Sequence, residues 1–146
     1  MASQEYVLFK LEDEYYGIDI NNVETIEKIM PITRVPYTQD FVKGVINLRG
    51  NVVPVIDLRK RLNLEEKPYD DNSRIIIVQI DDITVGMIVD SSSEVIQLNH
   101  DEIDESPSIN IDNDDYFIEC IGKKDNRIII IINLHKVLNI NNLLND

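Results

Sequence analysis

Apolar residues fall in short runs along this chain: "EYVLFKL", "YYGIDI", "NVVPVIDL", "SRIIIVQI", "ITVGMIV", "SEVIQL", "YFIECIG" and "RIIIIINL". Each run is rich in Val, Ile, Tyr or Phe and is bounded by turn formers such as "EDE", "DD", "PYDDN" and "GKKDN". That length and composition predict β-strands. Tight spacing with little room for helix between them predicts antiparallel barrels or a sandwich. Two hairpins stand out. One joins "SRIIIVQI" to "ITVGMIVD" through Asp81 and Asp82; the other joins "YFIECIG" to "RIIIIINL" through a polar loop with Gly122 at its entrance.

Elsewhere the spacing changes. In "INNVETIEKI", Ile20, Val23, Ile26, Glu27 and Ile29 recur at helical intervals, with Asn21 or Asn22 able to cap the start, so a short amphipathic helix is expected there. A second short helix is expected in "DLRKRLNL", after Pro54. A third is expected in "NLHKVLNINNLL", with Leu134, Val137, Leu138 and Leu144 on one face. "SSSE" at 91–94 matches a capping box on paper, but the β-branched residues around it favour a strand edge or bend. The polar stretch "NLEEKPYDDNS" invites a division into two halves, roughly 1-68 and 69-146, with the termini free to cross over between them. Each half is small for independent folding, so a shared core is expected. The acidic segment "DEIDESPSINIDNDD", residues 101 to 115, reads as a surface loop.

Composition narrows the function. A chain of 146 residues with 43% apolar content is long enough to bury a sizeable core and has no run near the ~20 residues that cross a bilayer. The N-terminal "MASQEYVLFK" lacks the features of a secretory signal, so a cytoplasmic location is expected. A net charge of -13 repels polyphosphate, which sets nucleic acid aside and favours partners with basic patches. It also discourages docking on an anionic membrane surface.

Catalytic and ligand-binding sets are not evident. The one cysteine, Cys120, lies among apolar neighbours and reads as a buried thiol, with His100 and His135 in unrelated contexts. "DNDD" at 112–115 opens like a calcium loop but lacks the sixth-position glycine and closing glutamate of an EF-hand. The five glycines stand singly, so no phosphate-cradling loop is formed, and zinc ligand pairs are lacking. No cofactor or metal is expected. An acid–base enzyme would need two facing, poorly solvated carboxylates, whereas the carboxylates here cluster in turns. A module for proline-rich peptides would need a stacking groove that 6% aromatic residues and no Trp supply poorly.

The stretch "KGVINLRGNVVPVIDLRKRL" holds the strongest signal. Gly44 and Gly50 permit backbone shapes that other residues resist, which places Arg49 at a bend in a strand-turn-strand unit. Two readings stay open for this arginine. It pairs with a carboxylate such as Glu24 or Glu27 and braces the fold, or it also faces a partner groove.

Together with "YGIDINNVETIEKI", "ITRVPYTQDFVKGVINLRGNVVPVIDLRKRL" and "VGMIVDSSSEVIQL", the chain resembles the CheW-like family of chemotaxis coupling proteins along nearly its whole length. The resemblance implies a mainly β fold of two linked five-stranded SH3-like β-barrels with short helices, including a C-terminal helix. It implies a non-catalytic adaptor, cytoplasmic and recruited to membrane receptor arrays, that joins chemoreceptor tips to the regulatory domain of the histidine kinase CheA. Val23, Leu48 and Arg49 become receptor-binding candidates, for a helical hairpin docking between the barrels. Ile109 becomes the kinase-binding candidate, and Gly44 and Gly50 structural turns. A rival within the family is a CheW-like module excised from a larger kinase or receiver-fused coupling protein. One departure stands out: many family members carry glutamate two residues after the valine, facing the arginine, where this chain has Thr25. Either Glu27 takes over the pairing or Arg49 is freer than usual.

Overall fold

The computed structural model describes residues 3–104 and 117–138. Its strands are β1 (Gln4–Leu11), β2 (Glu14–Asp19), β3 (Val23–Lys28), β4 (Val42–Leu48), β5 (Asn51–Asp57), β6 (Arg74–Ile80), β7 (Ile83–Val89), β8 (Ser91–Leu98), β9 (Ile103–Asp104), β10 (Ile118–Lys124) and β11 (Arg127–Ile132). Two short helices, α1 (Leu58–Arg61) and α2 (Leu134–Leu138), complete it with two 3-10 turns, Ile20–Asn22 and His100–Glu102.

The strands form a six-stranded sheet in the order β8-β1-β2-β11-β10-β9 and a five-stranded sheet in the order β3-β6-β7-β5-β4. Most pairs are antiparallel; β11 runs parallel to β2, and β5 parallel to β7. The mainly β class holds, with two SH3-like sheets of six and five strands, the sixth being the two-residue β9. Position 68/69 does not coincide with a sheet boundary. The inner segment from β3 to β7 makes the five-stranded sheet, while β1 and β2 join β8 through β11 across the chain in the other.

Packing explains why the sequence shows isoleucine runs rather than alternation. In β6, Ile76, Val78 and Ile80 face a core shared by both sheets, while Ile75 and Ile77 face a private core of the five-stranded sheet. In β11, Ile132 and the half-buried Ile130 face the shared core, and Ile129 and Ile131 a private core of the six-stranded sheet. Strands buried on both faces read as continuous apolar runs. Each sheet therefore curls around its own small core, and the two press together over the shared one. Each fully buried Leu or Ile there, such as Ile18, Ile56 or Leu58, contributes about 1.5–3 kcal/mol of transfer free energy. Cys120 lies buried in the private core of the six-stranded sheet.

Three expectations need correction. "INNVETIEKI" is not a helix: after the 3-10 turn it becomes β3, and its register against β6 shifts between Val23 and Thr25. That bulge explains the false helical spacing. Val23 pairs with Val78 and Ile26 with Ile76, so residues three apart on β3 meet residues two apart on the partner. Second, Gly122 is not at a loop entrance. It is buried inside β10, which continues to Lys124 and turns through Asp125 and Asn126, both at positive φ. Third, residues 101–104 of the acidic segment are not loop but belong to a 3-10 turn and to β9. The remainder of that segment, with Ile109 and "DNDD", lies outside the described residues, as does Leu144.

The other expected elements are present. The turn at Asp81 and Asp82 has positive φ at both residues, the type I′ geometry that matches strand twist. α1 and α2 occur where expected, with Leu134, Val137 and Leu138 buried, and "SSSE" opens β8. Asp57 caps α1 by accepting from the Lys60 N–H, and its other oxygen accepts from the Tyr69 hydroxyl at 3.0 Å. Among the described residues no helix is long and apolar enough to cross a membrane.

Candidate partner-binding site

The β4–β5 hairpin turns through Arg49 and Gly50, at φ 50° and 90°, between the paired residues Leu48 and Asn51. Arg49 thus stands at the tip of a tight turn, in a left-handed conformation that a non-glycine residue adopts only at some cost. The Asn47 side chain steadies this turn by accepting from the Gly50 N–H at 2.9 Å.

From the tip the Arg49 side chain, 64% exposed, donates to Glu27 Oε2 at 3.3 and 3.5 Å. Glu27 lies on β3, and β3 and β4 are the opposite edges of the five-stranded sheet. The ion pair therefore spans edge to edge across the mouth of the curled sheet. The Thr25 hydroxyl, two residues back on the same strand, is buried without a hydrogen-bond partner, and the Arg49 guanidinium holds the Glu27 carboxyl below the usual glutamate range. Glu27 has taken the pairing, and Glu24 stands exposed in the bulge.

The candidate residues do not all converge. Leu48 is half-buried against the private core of the five-stranded sheet, beside Arg49 in sequence. Val23 is half-buried too, but the bulge turns it toward the shared core. Asn22, next to Val23, lines a groove of about 310 Å³ between the sheets, with Gln79 and Asp81 from one and Ile131 and Asn133 from the other or just beyond it. Asn22 donates to the Gln79 carbonyl at 3.1 Å, and His135 pairs with Asp81 at 2.7 Å at the rim.

Sequence reading missed two exposed residues near this region of the chain. Val52, directly after the turn, is 74% exposed, because inward-facing Val53 and Val55 set the strand's phase and leave 52 outside. Tyr37 is 82% exposed at φ 65°, in a turn where Thr38 donates back to the Val35 carbonyl. The "VPY" sequence carried that signal, since proline presets the residue before such a turn's left-handed position.

Gly44, on β4, has φ 145°, and a Cβ there would lie 2.0 Å from the Thr33 carbonyl oxygen. Only glycine lets Thr33 approach and pair with Val45 through two 2.8 Å hydrogen bonds, which cover the outer edge of β4. At Gly50 the surroundings are open, and the requirement comes from φ alone.

Two sheets packed over a shared core thus carry an exposed turn and an inter-sheet groove as their marked surface features. A family model described as the CheW-like domain matches residues 5–141. The chain is 43% identical over 137 residues to the chemotaxis protein CheW of Bacillus subtilis (strain 168), spanning 94% of this chain and 88% of that protein. It is 35% identical over 137 residues to the chemotaxis protein CheW of Klebsiella aerogenes, spanning 94% and 82%. The crystal structure of the scaffolding protein TtCheW from Thermoanaerobacter tengcongensis superposes with a TM-score of 0.87 at 40% identity, covering 98% of this chain and 97% of that one. This chain belongs to the CheW-like domain family and is a chemotaxis coupling adaptor.

Proposed function

We propose that this adaptor works in the cytoplasm, recruited to membrane receptor arrays, where it joins chemoreceptor signalling tips to the regulatory domain of the histidine kinase CheA without catalysing a reaction. The observation that carries this reading is Arg49: exposed at a turn tip, held toward Glu27, and beside the half-buried Leu48. A receptor helix needs an apolar strip and a few polar anchors, and Leu48 and Arg49 offer both. Val23 contributes from the other side of β3, next to the inter-sheet groove. Ile109, outside the described residues, is the proposed contact to the kinase.

The test is a titration against a receptor-tip fragment and against a CheA regulatory domain, with Arg49→Ala beside the wild type. The reading expects wild type to bind both and Arg49→Ala to bind the receptor fragment about tenfold more weakly while keeping the kinase domain. Equal receptor binding by the two proteins would remove Arg49 from the site. Folded wild type that binds neither would remove the adaptor reading itself.

A further inference from the structure

The helix α1 is only four residues long, yet two of its side chains reach the other sheet's elements. Arg59 is buried; its side chain is 8% exposed. It donates through Nε and Nη2 to both oxygens of Asp90, at 2.7 and 2.6 Å, and through Nη1 to Glu12 at 2.6 Å and the Glu65 carbonyl at 2.7 Å. Asp90 is the single residue between β7 and β8, where the chain crosses from the five-stranded sheet to the six-stranded one. Asp90 also accepts from the Glu12 N–H at 2.9 Å and donates its own N–H to the Lys10 carbonyl at 3.0 Å. Arg59, rooted at the end of β5, thus grips the crossover point and the β1–β2 turn together.

Arg61 makes the second grip. Its guanidinium lies 5.0 Å from the Phe41 ring centre and 4.6 Å from that of Phe117, and it donates to the Val137 and Lys136 carbonyls at the end of α2. α2 follows β11 of the six-stranded sheet. Just before the two arginines, Leu58 is fully buried in the shared core.

The chemistry separates two roles. A core of Ile, Val and Leu holds the sheets together, but apolar attraction is non-directional and specifies their mutual angle weakly. A bidentate arginine–carboxylate pair is directional and fixes geometry. We propose that α1 is the joint that locks one sheet against the other, and that the Arg59 contacts to Asp90 and Glu12 set the angle at which the adaptor presents its two partner surfaces. The second half of this proposal rests on the two-partner reading above; the first half does not.

The test reads the angle directly. In a Cys120→Ala background, Val52→Cys on the five-stranded sheet and Ile128→Cys on the six-stranded one provide exposed positions for paired spin labels. Arg59→Met is expected to broaden the distance distribution and to lower Tm by roughly 10 °C. Arg59→Lys should narrow the distribution partway back, since a lysine can still reach one carboxylate. If Arg59→Met does not fold, Glu12→Gln, altering the half-exposed partner, should give a smaller broadening. A folded Arg59→Met, or failing that a folded Glu12→Gln, with the parent's distribution overturns the joint. Broadening should be accompanied by about tenfold weaker assembly of the receptor–adaptor–kinase complex. Unchanged assembly despite broadening overturns the link to presentation. Failure of the parent itself to bind either partner would count against the adaptor reading alone, because the distance measurement needs no partner.

Discussion

Replacing Gly44 by alanine adds one carbon in a place where the fold leaves no room for it. The new Cβ would lie 2.0 Å from the Thr33 carbonyl oxygen, 2.7 Å from its carbon and 3.1 Å from the Arg34 Cα, all of them backbone atoms that no rotamer change can clear. The Thr33–Val45 bridge must open. Its two backbone hydrogen bonds contribute about 1 kcal/mol each. A residue with a side chain at φ 145° costs about 2 kcal/mol more. The sum is about 4 kcal/mol, which in a domain of this size lowers Tm by roughly 15 °C. Thermal and urea unfolding followed by circular dichroism would measure it, and Gly44→Val should be at least as harmful. Gly50→Ala is the control: its φ of 90° is also left-handed but its surroundings are open, so it should lose only about 1–2 kcal/mol. A loss below about 1 kcal/mol for Gly44→Ala would refute the steric argument, and equal losses at both positions would assign the whole effect to backbone conformation.

Arg49→Ala should change Tm by only a degree or two, since an exposed ion pair contributes little; a large loss would make the edge-to-edge contact a structural brace. Burial pushes the Asp90 carboxyl up, but the Arg59 guanidinium and the Glu12 N–H outweigh it and hold Asp90 below the ordinary aspartate range. A carboxyl lowered on folding contributes stability that is present above its unfolded value and is lost as pH falls through its folded one, so urea midpoints should fall on acidification below about pH 5. Asp90→Asn should flatten that acid limb, and an unchanged slope would show that other carboxylates carry it. Leu58→Ala should cost about 2–5 kcal/mol by opening a cavity in the shared core; near-neutrality would mean the site collapses freely.

Sequence reading reached the strands wherever burial on both faces left an isoleucine or valine run, as in β6 and β11, and it found the tight turn at Asp81 and Asp82 from residue type. It placed Arg49 at a bend because two glycines framed it. It misread β3 because one inserted residue changed the spacing from two to three, and a bulge is set by pairing with β6, not by β3 alone. The Arg59 contacts were hidden for a similar reason: Glu12 and Asp90 lie 47 and 31 residues away, and only the crossed topology brings them to one point. Val23 and Leu48, expected on one surface, are divided between two cores by that same bulge.

The crossed topology also orders the chain in time. Every strand of the five-stranded sheet lies between residues 23 and 89, so its partners leave the ribosome in succession and its private core can close early. The six-stranded sheet cannot. β2 has to wait for β11, which ends at Ile132, so the private core that Leu8 shares with Ile129 and Ile131 stays open until β11 has been made. Completing the six-stranded sheet thus depends on late, long-range pairing, the kind of contact that slows folding and lengthens exposure to aggregation.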